Sequence, residues 1–236
     1  MEWAVFTKWT IYRDSKKCSK GEDSYTIEMK LTGCKEDKFT CDDGQCVEMS
    51  ERCNQMANCR DESDEEGCKI LHLKKGYKMR VPPISISSGK NMKPAPVKVS
   101  LLLYKVVAIV EEDHSIELQF QITIEWKENR ATYHNLKDES YMNALSKKDT
   151  NRIWLPLVVY TNTDQQQTTR LGENWEWSTN VLVKKEGGFE RSDSEVLAEI
   201  EVFKGSENSL SMVQSYTHEF QCVYQLERYP FDTQVR

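Results

Sequence analysis

A chain of 236 residues, 38% hydrophobic and 30% charged, holds enough material for one or two domains with a true apolar core. Its formal charge of −6 is unevenly spread: residues 34–68 carry 11 Asp/Glu against 4 Lys/Arg, which leaves the remainder close to neutral. No basic patch stands out, so a nucleic-acid partner is not expected; a cation or a basic protein ligand suits the acidic segment.

Residues 1–33 open on Met1-Glu2-Trp3, which lacks the basic start, apolar run and small-residue cleavage site of a signal peptide. Two strand-like runs, Trp9-Thr10-Ile11-Tyr12 and Tyr25 to Thr32, are parted by a polar stretch. They read either as the remnant of an upstream domain or as a disordered lead-in. Six of the eight cysteines (Cys34, Cys41, Cys46, Cys53, Cys59 and Cys68) then crowd into residues 34–68. So short a stretch cannot bury enough apolar surface to fold unaided, and disulfides in an oxidising, extracellular setting are the usual remedy. A secreted-looking chain without a signal sets the expectation of further sequence upstream.

Residues 69–95, with Pro82, Pro83 and a Ser-Ile-Ser-Ser-Gly run, read as a linker and entry segment. From residue 96 onward the periodicity is that of β-structure. Ile116, Leu118, Phe120, Ile122, Ile124 and Trp126 alternate strictly with polar residues, as in a half-buried antiparallel strand. Val97, Val99, Leu101 and Leu103 repeat the pattern one strand earlier, and Val181, Val183, Ile200, Val202 and Met212 to Cys222 continue it. A short helix is expected from the N-cap Ser146 to about Ile153. The apolar run from Val99 to Val110 is broken by Lys105 and falls short of the roughly 18 to 20 residues of a membrane span. The expected fold is mainly β: a small disulfide-rich module, then an antiparallel sandwich that residues 96–236 leave incomplete. His72, His114, His134 and His218 are scattered and no catalytic motif appears, so no catalytic residue is assigned and an enzyme is not expected.

The order F-T-C-D-D-G-Q-C-V, then E-R-C-N-Q-M-A-N-C-R-D-E-S-D-E-E-G-C, closely resembles the LDL-receptor class A repeat. Six cysteines allow fifteen pairings, among which sequence alone does not choose. The resemblance implies Cys34–Cys46, Cys41–Cys59 and Cys53–Cys68, each closure stabilising by about 2 to 4 kcal/mol. The rival use of cysteines, a zinc site, lacks paired C-x2-C knuckles and nearby histidines. The resemblance also implies one structural calcium ion, held by the side chains of Asn54, Asn58, Asp64 and Glu65 and the carbonyls of Glu51 and Met56. Asn54 and Asn58 replace the family's Asp, and Glu51 stands where the family places an aromatic residue that receives a ligand lysine. The bland alternative is an acidic surface that is merely solvated.

The segment C-V-Y-Q-L-E-R-Y-P-F-D-T-Q-V-R, from Cys222 to Arg236, resembles the signature loop of Cys-loop (pentameric neurotransmitter-gated) receptors, with Tyr229, Pro230, Phe231 and Asp232 as its core. Trp126-Lys127-Glu128-Asn129-Arg130 is similar to that family's W-x-D-x-R segment, and Ile153-Trp154-Leu155-Pro156 to its I-W-x-P segment. Plain core packing is the preferred reading of both tryptophans. The resemblance places agonist-binding positions at Gln121, Tyr160 and Thr161, in a site shared between subunits where aromatic rings cage a cationic transmitter. The family's second loop cysteine falls on Arg236, so Cys222 is expected to be unpaired, against the alternative of a Cys18–Cys222 bridge.

Together these resemblances imply the extracellular part of a channel subunit, partnered by other subunits and a small-molecule transmitter. A secreted binding protein of the same fold, or an extracellular adaptor acting through the acidic module, are the alternatives.

Overall fold

The protein is described by a computed structural model, which covers residues 4–12, 24–35, 37–86, 92–110, 112–163, 179–191 and 199–222. Strands β1 (Ala4–Tyr12) and β2 (Ser24–Thr32) form an antiparallel hairpin, each strand longer than the sequence runs suggest. Next comes the cysteine module, with a short antiparallel pair of β3 (Lys38–Thr40) and β4 (Cys46–Glu48) and a 3-10 turn at Ser63–Glu65. Among the described residues its apolar core is Phe39, Val47 and the disulfide-bonded Cys41 and Cys59, with Met49 packed alongside. Covalent links therefore carry the module: Cys34–Cys46, Cys41–Cys59 and Cys53–Cys68, with Cα separations of 5.7, 5.8 and 5.5 Å. The Arg52 guanidinium lies 4.3 Å from the Phe39 ring centroid and donates to the carbonyls of Ser63, Asp64 and Glu66.

The larger body runs β5 (Leu71–Leu73), β6 (Ile84–Ile86), β7 (Met92–Pro94), β8 (Val97–Val110), β9 (Ser115–Lys127), β10 (Ala131–His134), helix α1 (Lys147–Thr150), β11 (Thr179–Lys184), β12 (Phe189–Arg191), β13 (Glu201–Lys204) and β14 (Ser209–Gln221). Among the described residues it has two four-stranded antiparallel sheets, in the orders β12-β13-β10-β5 and β11-β14-β9-β8, while β6 and β7 pair as a separate hairpin. The inward residues of β9 (Phe120, Ile122, Ile124 and Trp126) meet Leu71, Tyr133 and Phe203 of the other sheet in one buried cluster. Fully burying each such side chain contributes about 1.5 to 3 kcal/mol. Trp126 is a buried core residue, and the partly buried Trp154 packs edge-on against it, ring centroids 6.1 Å apart. Gly205 admits a close approach at the turn into β14: a Cβ there would lie 2.1 Å from the Glu128 carbonyl oxygen.

Three expectations need correction. Strand β8 is not half-buried: Val99, Leu101 and Leu103 are 56%, 67% and 51% exposed. Among the described residues it lies at a sheet edge and pairs with β9 alone, and alternation cannot reveal which strands will be covered. The segment 69–95 is more than a linker, since β5 joins a sheet and buries Leu71 completely. Helix α1 does start at the Ser146 cap, whose Oγ accepts the Asp149 N–H at 3.1 Å, but it ends at Thr150. The chain must turn there to bury Ile153 and to let the Trp154 N–H donate to the Tyr77 hydroxyl at 2.8 Å.

Where β5 meets β10, the rings of His72 and His134 stack with centroids 3.7 Å apart. Burial, and then the neighbouring His72, push His134 down to about 4, and burial lowers His72 as well. Their folded pKa values lie below the unfolded value near 6.5, so their stabilising contribution is complete above that pH. It is lost as pH falls from about 6.5 towards 4, when the unfolded chain binds protons that the fold resists. Urea melts across this range should show stability falling with acidification, with a shallower slope in His134→Gln; parallel slopes would show that the pair does not couple folding to pH.

Candidate calcium site and ligand-binding face

The candidate ion loop of the module is a backbone bend with two left-handed residues, Cys53 (φ 60°) and Gln55 (φ 67°), wrapped around two carboxylates. Asp64, completely buried, accepts the N–H groups of Asn58 (2.8 Å) and Cys59 (3.2 Å). Glu65 Oε1 accepts those of Asn54 (2.6 Å) and Gln55 (2.9 Å). Asn54 Oδ1 accepts the Met56 N–H at 2.9 Å. Ionised carboxylates and amide oxygens keep further lone pairs, so these bonds position the groups without exhausting them.

The observation that tests the site is Asn58. Its Nδ2 donates to Glu51 Oε1 at 3.3 Å, while its Oδ1 is buried without a hydrogen-bond partner among the described residues. A buried acceptor left unpaired costs about 1 to 3 kcal/mol, and a hard cation is the partner that would satisfy it beside Asp64 and Glu65. The residues present thus fit calcium. Glu51 has a role that the sequence did not disclose: its other oxygen accepts the Glu48 N–H at 2.8 Å, so it closes a turn and orients the Asn58 amide. Cys41, Cys59 and Asp61 also converge within 4.8 Å, but both sulfurs are spent in a disulfide and supply no thiolate.

In the β-rich body, Tyr160 enters a nest of aromatic rings on β9 and β14. Its ring centroid lies 5.8 Å from Phe120, 6.0 Å from Tyr216, 5.3 Å from His218 and 5.7 Å from Phe220. Burial pushes the Tyr160 phenol up to about 12, and its hydroxyl, like His218 Nε2, has no hydrogen-bond partner among the described residues. Thr161 is exposed beside it. Gln121 follows Phe120 on β9 and therefore points to the opposite sheet face, where its Oε1 accepts the Tyr104 hydroxyl. Tyr160 and Thr161 lie together, and Gln121 apart from them. The Gln221 N–H donates to the Asn162 carbonyl at 2.8 Å, which joins the Tyr160 segment to the end of β14, next to the free thiol of Cys222. Cys18, Tyr229, Pro230, Phe231 and Asp232 lie outside the described residues.

Residues 32–68 match the profile of the low-density lipoprotein receptor domain class A, and residues 68–235 that of the neurotransmitter-gated ion-channel ligand binding domain. The chain belongs to the neurotransmitter-gated ion-channel ligand-binding domain family. Such a domain is a receptor module rather than an enzyme, and with its class A repeat it marks this chain as an extracellular ligand-binding segment. The chain is also similar to the vitellogenin receptor of Solenopsis invicta, with 42% identity over 55 residues. That alignment takes in 23% of this chain and 3% of that protein, so only a small part of the relative is spanned. Among the described residues, no helix is long and apolar enough to cross a membrane.

Proposed function

We propose that this ligand-binding domain is the extracellular part of a ligand-gated ion-channel subunit, at the outer face of the cell membrane. It recognises a small-molecule transmitter between neighbouring subunits and couples recognition to a pore carried elsewhere in the receptor. The profile match across residues 68–235 carries the reading. The opposed placement of Gln121 and Tyr160 is compatible with it, since a site shared between subunits takes its two walls from different faces. The unpaired Tyr160 hydroxyl is a group that a polar ligand would satisfy. The product of the gene that encodes this segment, expressed in oocytes under voltage clamp, should respond to an amine or amino-acid transmitter. Tyr160→Ala should weaken the response about tenfold or more, in keeping with loss of a cation–π contact of about 1 to 2 kcal/mol. Ligand binding by a secreted product, with no current, would favour a soluble binding protein instead.

In this proposal the module holds a structural calcium ion through Asn54, Asn58, Asp64 and Glu65, with the carbonyls of Glu51 and Met56, and presents an acidic surface to a basic protein ligand. Only two of the four side chains carry formal charge, so affinity should sit on the order of 10⁻⁴ to 10⁻³ M, the range of extracellular calcium modules. Asn54→Asp with Asn58→Asp should tighten calcium binding by about tenfold as ligand charge rises. Calorimetry with no heat at millimolar calcium would reduce the cluster to a solvated surface.

A further inference from the structure

We propose that the ion loop and the β-rich body form one calcium-dependent joint, latched by Lys137. This inference rests on the calcium reading above and adds to it a second element that the ion controls.

The Lys137 ammonium leaves the larger body just beyond β10 and donates to the carbonyls of Ser50 (2.7 Å) and Arg52 (2.5 Å). Those two carbonyls flank that of Glu51, a candidate ligand of the ion. Lys137 is mounted rigidly. Asn143, 1% exposed, accepts the Lys137 N–H at 2.8 Å, donates to its carbonyl at 2.8 Å and also donates to Val183 O at 3.1 Å. Asn135 supports the latch from two residues earlier. Its left-handed backbone (φ 52°) is held by mutual bonds with Glu201, and its Nδ2 donates to Cys53 Sγ at 3.8 Å. A third tie joins the Thr40 N–H to Glu199 Oε1 at 3.0 Å. Between the two parts lies a cavity of about 210 Å³, lined by Cys53, Gln55 and Glu65 on one side and His134, Asn135 and Lys137 on the other.

The contacts form a continuous path. Lys137 holds the Arg52 carbonyl, and the Arg52 side chain holds the carbonyls of Ser63 and Asp64, in the turn that supplies Asp64 and Glu65. Without an ion, two carboxylates and the unpaired Asn58 oxygen crowd one loop, and relief comes from loosening it. Loosening moves the carbonyls that Lys137 requires and the Cys53 sulfur that Asn135 contacts. With the ion in place the loop is fixed and the latch closes, and by linkage the closed latch favours the ion.

The test is hydrogen exchange on the oxidised full chain, in millimolar calcium and in chelator, for the wild type and Lys137→Met. In the wild type, calcium should slow exchange both in residues 50–59 and in residues 131–138, the latter by about fivefold or more, within the usual range of coupled sites. In Lys137→Met only residues 50–59 should respond. Slowing confined to 50–59 in the wild type would show independent parts and overturn the joint while leaving the calcium reading intact. No slowing in 50–59 would remove the calcium reading and the joint together. The wild-type arm decides the matter even if the variant folds poorly.

Discussion

Glu128→Ala is expected to destabilise the β-rich body by about 3 to 5 kcal/mol, the usual cost of orphaning one member of a buried ion pair. Glu128 is completely buried and grips Arg130 with both oxygens: Nε to Oε1 and Nη2 to Oε2, each at 2.7 Å. The Tyr77 hydroxyl donates to the same carboxylate at 2.9 Å and accepts the Trp154 N–H, while the Arg130 guanidinium lies 4.5 Å from the Tyr77 ring centroid. One carboxylate therefore ties the β5–β6 segment, the β9–β10 turn and the segment after α1. Arg130 retains 22% exposure and an acceptor at Val81 O, which favours the lower end of the range. At about 2 to 4 °C per kcal/mol for a domain of this size, the melting temperature should drop by roughly 10 °C. Glu128→Leu combined with Arg130→Met should recover most of the loss, because an apolar pair of similar volume is often as stable as a buried ion pair. A single-variant loss under about 0.5 kcal/mol, the scale of ordinary surface substitutions, would show that the carboxylate is not a structural tie.

Legibility in the sequence tracked the range of the interactions. Strand β9 could be read because burial on one face imposes a period of two, and Phe120, Ile122, Ile124 and Trp126 obey it. The module could be read because a short, cysteine-dense segment has few ways to fold. Partnerships between distant positions carried no local signal. Tyr77 meets Glu128 across 51 residues, and Lys137 meets the Arg52 carbonyl across 85. Nothing in the neighbourhood of Lys137 marks it off from other surface lysines. The role of the Glu51 side chain was hidden for another reason: an aromatic position filled by Glu looked like the loss of a docking residue, whereas the carboxylate orients Asn58. Residues of the candidate ligand face were picked out, but periodicity alone does not say that Tyr160 turns inward among rings while Gln121 faces the other way.

Removing the Cys41–Cys59 bridge by replacing both residues with Ala should unfold the module and leave the β-rich body standing. The bridge closes a sequence separation of 18 residues, for which the chain-entropy estimate is about 3 kcal/mol. Its two sulfurs also belong to the core: Cys41 and Cys59 are 0% and 3% exposed, and among the described residues Phe39 and Val47 are the other fully buried members of that apolar cluster. Small disulfide-dependent domains typically lose about 2 to 5 kcal/mol with a native bridge, and so small a core has little stability in reserve. Cys59 is moreover the residue whose N–H donates to Asp64 Oδ1, so the ion loop should fail together with the core. The large cluster around Trp126, Tyr133 and Phe203 shares no residue with the module core and should keep its own unfolding transition. Calcium titration followed by calorimetric melting separates the outcomes. The expected result is loss of calcium heat with a retained high-temperature transition, whereas undiminished calcium binding in Cys41→Ala/Cys59→Ala would mean that the remaining bridges and backbone bonds suffice to build the loop.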